Sequence, residues 1–348
     1  EMAMAMLPRL LLMLTSISAS SAFLSAPALS ATLGSRAGFS SHPTPACGAG
    51  STGASLRLGV KAIGGQRGGK RDGPTILRAA GEHDLLVIGA GVLGGMLIEQ
   101  HKEKYPDAAV IAETRTTDKH AALTAKGAIC RITEDSPIGL QPNVVFCAAP
   151  GANPDYPGEV KLALKRWSGV GKFVFTSSGG VFLEEDGQKV NEQSVVSDSA
   201  RAKKLLDCEL AVVEGGGTVV RLAGLYTLDR GAHNYWCKVG SVDSRPDGLI
   251  GLLSYEDAAG SVLSVLSCEK EKVKGEIFLI SDGMEQSREQ LCEAALSTSF
   301  YKDSTMPSFT RIDGPIGKRY DTSKATSVLG WKPRYESFKR FCELNKDT

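Results

Sequence analysis

The period of apolar and polar residues changes repeatedly along the chain, and the changes mark its elements. Leu85-Leu86-Val87-Ile88 is a continuous apolar run, as expected of a strand buried in a parallel sheet. Gly89-Ala90-Gly91-Val92-Leu93-Gly94 follows at once, and Gly95 to Gln100 continues as a helix. Ala109 to Ala112 reads as a second strand. A helix from about Thr117 to Lys126 follows it, closed by Gly127 as C-cap. Asn143 to Ala149 is a strand stopped by Pro150-Gly151, and Pro157 to Trp167 has helical spacing. Lys172 to Ser178 is a strand, Ser199 to Val213 a long helix, and Thr218 to Leu222 a further strand. Tyr255 to Leu266 and Ser287 to Leu296 read as helices, with a strand at Glu276 to Ile280 between them. Strands alternating with helices imply an α/β fold, a Rossmann-type doubly wound parallel sheet with helices on both faces.

The glycine turn is built to hold a pyrophosphate. Gly89 permits the tight turn, Gly91 lets the backbone approach phosphates, and Gly94 lets the helix pack close to the strand. The pyrophosphate would lie on the free N–H groups at the helix start, around Val92 and Leu93, where the helix dipole favours negative charge. The strand before and the helix after are the context that makes this a dinucleotide site.

The choice of dinucleotide turns on the end of the second strand. NAD-binding folds usually place an acid there, about 20 residues past the glycines, to accept the ribose hydroxyls. Thr114 holds that position, 20 residues after Gly94, and Arg115 follows. Glu113 precedes it, and strand alternation points Glu113 to the other face. A hydroxyl and a guanidinium suit a 2′-phosphate, so NADP(H) is favoured over NAD(H). A shift of one residue in register would restore Glu113 as the ribose ligand.

Residues 1–80 differ in character. Met6 to Leu14 is a short apolar run with Arg9 as its only charge, well below the about 20 residues of a membrane span. Ser20-Ser21-Ala22 offers small residues to a signal peptidase, and Phe23 follows. Phe23 to Ala80 is rich in Ser, Ala, Gly and Arg, with seven basic residues and one acid, Asp72. That composition builds no packed core. Residues 19–27 (ASSAFLSAP) resemble the bipartite plastid presequence of algae with secondary plastids. The resemblance implies a signal peptide at 1–22, a transit peptide at 23–80 and delivery to the plastid stroma. An ordinary secretory signal with a linker is the alternative. Glu1 ahead of Met2 reads as a translated open frame.

Residues 1–80 carry eight basic and two acidic side chains, so the remaining 81–348 are acidic, with a net charge near −5. No basic patch argues for nucleic acid, and no span argues for a membrane. Seven cysteines lie in this part without a CxxC pair, and the five histidines of the chain form no HxH or HxxxH pair. Neither a disulfide framework nor a metal site is expected.

The order of elements resembles the extended short-chain dehydrogenase/reductase superfamily, which includes NAD-dependent sugar-nucleotide epimerases and dehydratases. The resemblance covers about Asp84 to Cys342. It rests on the glycine turn, on Phe173 to Phe182 (FVFTSSGGVF), on Val220 to Tyr226 (VRLAGLY), and on Leu329 to Pro333 (LGWKP). Ala149-Pro150 and the segment at Arg221 are most similar to the atypical group with divergent active sites. The resemblance implies that Ala148, Ala149, Pro150, Thr176 and Ser177 line the cofactor. It also implies a small C-terminal substrate lobe, mainly about 228–256 and 282–348.

The family's chemistry uses a Tyr, a Lys four residues later, and a Ser or Thr at a strand end. Ser178 takes the Ser position. The Tyr is absent, because no tyrosine lies between Tyr156 and Tyr226. Two registers are open in the long helix. Lys203 is the family Lys if Asp207 is the acid that follows it, with Ser199 in place of the Tyr. If Glu209 is that acid, Arg201 replaces the Tyr and Leu205 the Lys. A serine hydroxyl cannot stand in for a phenol as acid. Tyr226 and His233 are then the nearest other groups by position, each with packing as the plain alternative. Asp257 reads as a helix cap or structural hydrogen-bonder, and Trp331 as a core aromatic.

Three functions remain open. The first is a redox or epimerase-like enzyme acting on a small molecule with a nonstandard acid. The second is a non-catalytic NADP(H)-binding protein that regulates or assembles a protein partner. The third, disfavoured by the acidic charge, is an RNA-associated protein.

Overall fold

Short runs of apolar residues, flanked by turns, build the centre of the molecule. The structure is a computed structural model that describes residues 80–135, 138–151 and 153–347, all within one compact unit, Gly73–Thr348. The presequence expectations fall outside these residues, Ala80 apart. The first half runs β1 (Leu85–Ile88), α1 (Val92–Lys104), β2 (Val110–Thr114), α2 (His120–Ala125), β3 (Ile129–Ile132), β4 (Asn143–Phe146) and α3 (Tyr156–Leu164). Then come β5 (Phe173–Ser178), β6 (Asp186–Val190), α4 (Ala200–Glu214), β7 (Thr218–Leu222), β8 (Gly224–Tyr226) and α5 (Ala232–Val239). Three short strands follow, β9 (Ser241–Val242), β10 (Leu249–Ile250) and β11 (Leu252–Ser254), and then α6 (Tyr255–Ser267), α7 (Lys270–Val273) and β12 (Ile277–Ile280). The chain closes with β13 (Gln286–Ser287), α8 (Arg288–Leu296), β14 (Ser308–Phe309), β15 (Gly317–Tyr320), α9 (Ser323–Leu329) and α10 (Phe338–Leu344).

Seven parallel strands form the central sheet in the order β12-β7-β5-β4-β1-β2-β3. One face carries α1 and α6 over Leu97, Ile98, Ala259 and Val262, with Trp331 in the same core. The other carries α3 and α4 over Phe146, Tyr156, Phe175 and Leu205. Each large side chain buried this way contributes about 1.5–3 kcal/mol. This is the doubly wound α/β fold expected. A third cluster joins Tyr226, Trp236, Leu291 and Phe338, drawing on β8, α5, α8 and α10.

The sequence reading passes over β3. It is an edge strand whose side chains stay half-exposed, so no continuous apolar run marks it. Local capping sets two helix starts. Asp155 Oδ1 accepts from Gly158 N at 3.0 Å ahead of α3. Ser254 Oγ accepts from Asp257 N at 2.9 Å and so caps α6. Asp257 is therefore the structural hydrogen-bonder and Ser254 the cap. Its carboxylate accepts from Ser254 Oγ and from the backbone of Arg334 and Tyr335, tying the C-terminal segment down. Among the described residues no helix is long and apolar enough to cross a membrane.

Candidate functional site

The glycine turn opens onto the carboxyl ends of the strands, and each glycine has a separate spatial reason. Gly89 has φ +81°, and a Cβ there would lie 2.3 Å from the Ala148 backbone. At Gly94 a Cβ would come within 3.0 Å of Val87 and 3.2 Å of Cys147, so α1 packs tightly on the sheet. At Gly91 a Cβ would meet only Gly89 O, at an ordinary contact distance of 3.8 Å, so no protein atom crowds the start of α1 there. No side chain caps that helix start. The space a Cβ would fill, facing uncapped N–H groups, fits the phosphates of a dinucleotide.

A cleft of about 920 Å³ runs from this turn across the strand ends. Gly89, Gly91, Val92 and Leu93 line it, as do Ala148, Ala149, Pro150, Thr176 and Ser177. Gly94 lies beneath, in the contact between helix and strand. Thr114 and Arg115 line an adjoining groove of about 360 Å³ with Thr116, Asp118 and Lys119. The Thr114 hydroxyl is already engaged, donating to Thr116 O at 2.7 Å and lying 2.8 Å from His120 Nε2. Arg115 pairs at 3.1 Å with Glu159, both side chains being substantially exposed.

Glu113 lines a small pocket of about 130 Å³ with Gly89, Thr114 and Arg115, but its carboxylate is already paired. It is 1% exposed, and Arg166 binds it with two parallel hydrogen bonds of 2.7 and 2.8 Å. Arg131 adds a contact of 3.1 Å. Two guanidiniums on one carboxylate fix its direction.

Ser178 sits at the end of β5 and lines the cleft, its Oγ accepting from Gly180 N at 3.1 Å. The register of α4 follows from burial. Asp207 and Lys203 are exposed, and Ser199 is spent as N-cap, accepting from Ala202 N. Glu209 is 3% exposed and pairs with Arg221 at 2.7 Å, while Ser177 Oγ donates to it at 2.5 Å. Of the two acids Glu209 is the buried and paired one, and in the register that the resemblance attaches to it Arg201 and Leu205 stand at the Tyr and Lys positions; both line the cleft. The assignment of Lys203 as a catalytic residue is revised, because its side chain leaves the cleft for solvent.

Tyr226 and His233 are revised likewise. Neither lines the cleft. Tyr226 is fully buried, edge-on to Phe338 and Phe341, and its hydroxyl has no hydrogen-bond partner among the described residues. Burial pushes its phenol far above the usual range. His233 is also fully buried, its ring tilted against Phe338 with centroids 4.3 Å apart and Nε2 3.1 Å from Leu228 O. Burial lowers its pKa to about 4. Both belong to the third hydrophobic cluster or its edge, among apolar side chains.

Among the cleft residues that escaped the sequence reading, four are basic or phenolic: Lys119, Lys204, Arg230 and Tyr255. Lys204 carried a signal, being one residue from Lys203 and four from Ala200, both on the helix. Tyr255 opens α6 beside the glycine turn and is the one phenol among the cleft-lining residues described. Arg230 stands in a loop where no periodicity applies.

No protein-family profile matches the chain, and no curated protein matches it. Solved structures do. A conserved protein of unknown function from Silicibacter pomeroyi is 18% identical with a TM-score of 0.60, covering 75% of this chain and 96% of its own. UDP-glucose 4-epimerase from Thermotoga maritima, solved with UDP-glucose, is 17% identical with a TM-score of 0.59, covering 75% and 97%. UDP-glucuronic acid 4-epimerase from Bacillus cereus, in complex with UDP-glucuronic acid and NAD, is 16% identical with a TM-score of 0.62, covering 76% and 98%. What the chain shares with these proteins at such identities is the Rossmann-type α/β fold of the epimerases and dehydratases.

Proposed function

We propose that the cleft binds NADP(H) in preference to NAD(H), and that the protein uses it for redox or epimerase-like chemistry on a small molecule without the usual tyrosine–lysine pair. The observation that carries the cofactor choice is the capture of Glu113 by Arg166 and Arg131. Glu113 does line a small pocket with Thr114 and Arg115, but its carboxylate oxygens are already taken by the two arginines, whereas Thr114 and Arg115 also line the adjoining groove. A 2′-phosphate would gain paired, charge-assisted hydrogen bonds from Arg115, with Lys119 beside it. The exposed Arg115–Glu159 pair is worth about 0–1 kcal/mol and would yield to such a ligand. Gly91, Val92 and Leu93 would hold the pyrophosphate, and the bound nicotinamide would supply or accept hydride. That epimerases with bound NAD share the fold supports the chemistry.

A second reading, a non-catalytic NADP(H)-binding regulatory or assembly protein, is favoured by one observation. Arg201 and Leu205 stand where the register set by Glu209 puts the proton-transferring pair. Arginine keeps its proton at any physiological pH and cannot replace a phenol as acid. Screening the purified protein for NADPH oxidation against small carbonyl compounds separates the two. Turnover that falls about 10²–10⁴-fold in Tyr255→Phe would mark the remaining phenol as the acid. No turnover with any compound, together with tight NADPH binding, would leave the regulatory reading.

The plastid address is part of the proposal. It rests on Ala22-Phe23 and the Ser- and Arg-rich stretch to Ala80. A fluorescent fusion of the presequence should reach the plastid stroma, and Phe23→Ala should stop it before the inner plastid membranes. Stromal arrival of the Phe23→Ala fusion would contradict the bipartite reading.

A further inference from the structure

The end of the cleft away from the glycine groove carries positive charge that the dinucleotide does not explain. In the sheet, β2 and β3 lie on one side of β1, and β4, β5 and β7 on the other. Thr114, Arg115 and Lys119 gather on the β2 side. Ser178 at the end of β5, Arg201 and Lys204 on the first turns of α4, and Arg230 after β8 gather on the opposite side. Among the described residues no aspartate or glutamate lines the cleft.

The three cations are not equally committed. Lys204 Nζ donates to Asn153 O at 2.8 Å. The side chains of Arg201 and Arg230 make no hydrogen bond or ion pair among the described residues, and both residues are exposed to the cleft. The acid next to Arg230, Asp229, is held by Thr227 Oγ1 at 2.7 Å and does not line the cleft. Like charges gathered in a concave site raise the local potential and attract an anion. The guanidinium is planar and forked, so it takes carboxylate or phosphate oxygens in pairs.

We infer that this end of the cleft binds a small molecule through an oxyanionic group, a phosphate monoester or a carboxylate, gripped by Arg201 and Arg230 beside Ser178. The inference deepens the NADP(H) reading and rests on it, since the dinucleotide is taken to occupy the glycine-turn end. Arg201 has a specific meaning here. A neutral phenol at its helix position would meet a carbonyl or hydroxyl and exchange a proton with it. A permanent cation at that position selects a charged group and holds it without proton exchange. Ser178 is left to orient an oxygen of the same molecule.

The test uses the purified protein loaded with NADP⁺. Glycerol 3-phosphate and glucose 6-phosphate form one arm, malate and succinate the other, each at about 10 mM against chloride of matched ionic strength. At least one arm should raise the melting temperature above the chloride control, and calorimetric titration should then give its affinity. That affinity should fall about tenfold or more in Arg201→Gln and in Arg230→Gln, as expected when a charge-assisted contact is lost. NADP⁺ affinity should stay within about twofold in both variants, which also shows that they fold. Two results would overturn the inference: no stabilisation by either arm, or stabilisation that persists in the Arg201→Gln/Arg230→Gln double variant. A parallel loss of NADP⁺ affinity would overturn it as well, by assigning the arginines to the cofactor. Failure of NADP⁺ to bind the unmodified protein is a different result. It strikes the cofactor reading, and the anion titration repeated without NADP⁺ still decides the oxyanion site.

Discussion

At the scale of single residues, burial separates the groups that can meet a ligand from those that resemble catalytic groups only in type. His233 shows the difference and gives a measurable consequence. Its neutral form is held in an apolar setting, with a folded pKa of about 4 against about 6.5 unfolded. As the pH falls below about 6.5, the unfolded chain takes up a proton that the folded chain refuses, so stability falls. The loss continues until about pH 4 and totals about 3 kcal/mol. Asp257 and Asp282 act in the opposite sense, because burial raises their folded pKa values and acidification relieves them. The His233 contribution is therefore read as a difference. Urea denaturation across this range should show a flatter acid limb for His233→Gln than for the unmodified protein. Parallel curves would mean that the imidazole is solvated. The same burial predicts that neither His233 nor Tyr226 touches the cofactor.

At the scale of elements, α4 carries the decisive information, and its register rests on one buried ion pair. Arg221 is 4% exposed and Glu209 3%, and three guanidinium hydrogen bonds join them. Removing one partner leaves a buried charge alone, at a cost of about 3–5 kcal/mol. Glu209→Leu should lose that much in denaturant titration, and Glu209→Leu with Arg221→Met should recover part of it. Equal losses in the single and double variants would mean that the pair does not organise α4 against β7. The sequence could not choose this register, since Asp207 and Glu209 are both acids two positions apart and only burial tells them apart. β1, the glycine turn, α1 and β5 were legible because a buried parallel strand and a tight turn leave strong local marks. β3 was not, because an edge strand shares its side chains with solvent. The glycine-turn end of the cleft was legible for the same reason as the turn. The opposite end was not, because Arg230 and Tyr255 come to the cleft through long-range packing of β8, β11 and α6.

At the scale of the whole molecule, an acidic body presents a basic cleft. Residues 81–348 carry a net charge near −5, yet the described cleft lining holds Lys119, Arg201, Lys204 and Arg230 and no carboxylate. Such a contrast concentrates anions at one place on the surface, and a dinucleotide phosphate is an anion. The fold alone does not choose between cofactors, since the sheet and glycine turn suit both. In the proposal the choice lies at the end of β2, where two arginines hold the buried Glu113 and Arg115 is held only by the exposed Glu159. The most direct test is to titrate the purified protein with NADPH and with NADH and then repeat both titrations with Arg115→Ala. NADPH should bind more tightly, and Arg115→Ala should weaken it by about 1–3 kcal/mol while leaving NADH almost unchanged. Equal affinities in the unmodified protein, or a loss of the same size for both cofactors in Arg115→Ala, would contradict the account.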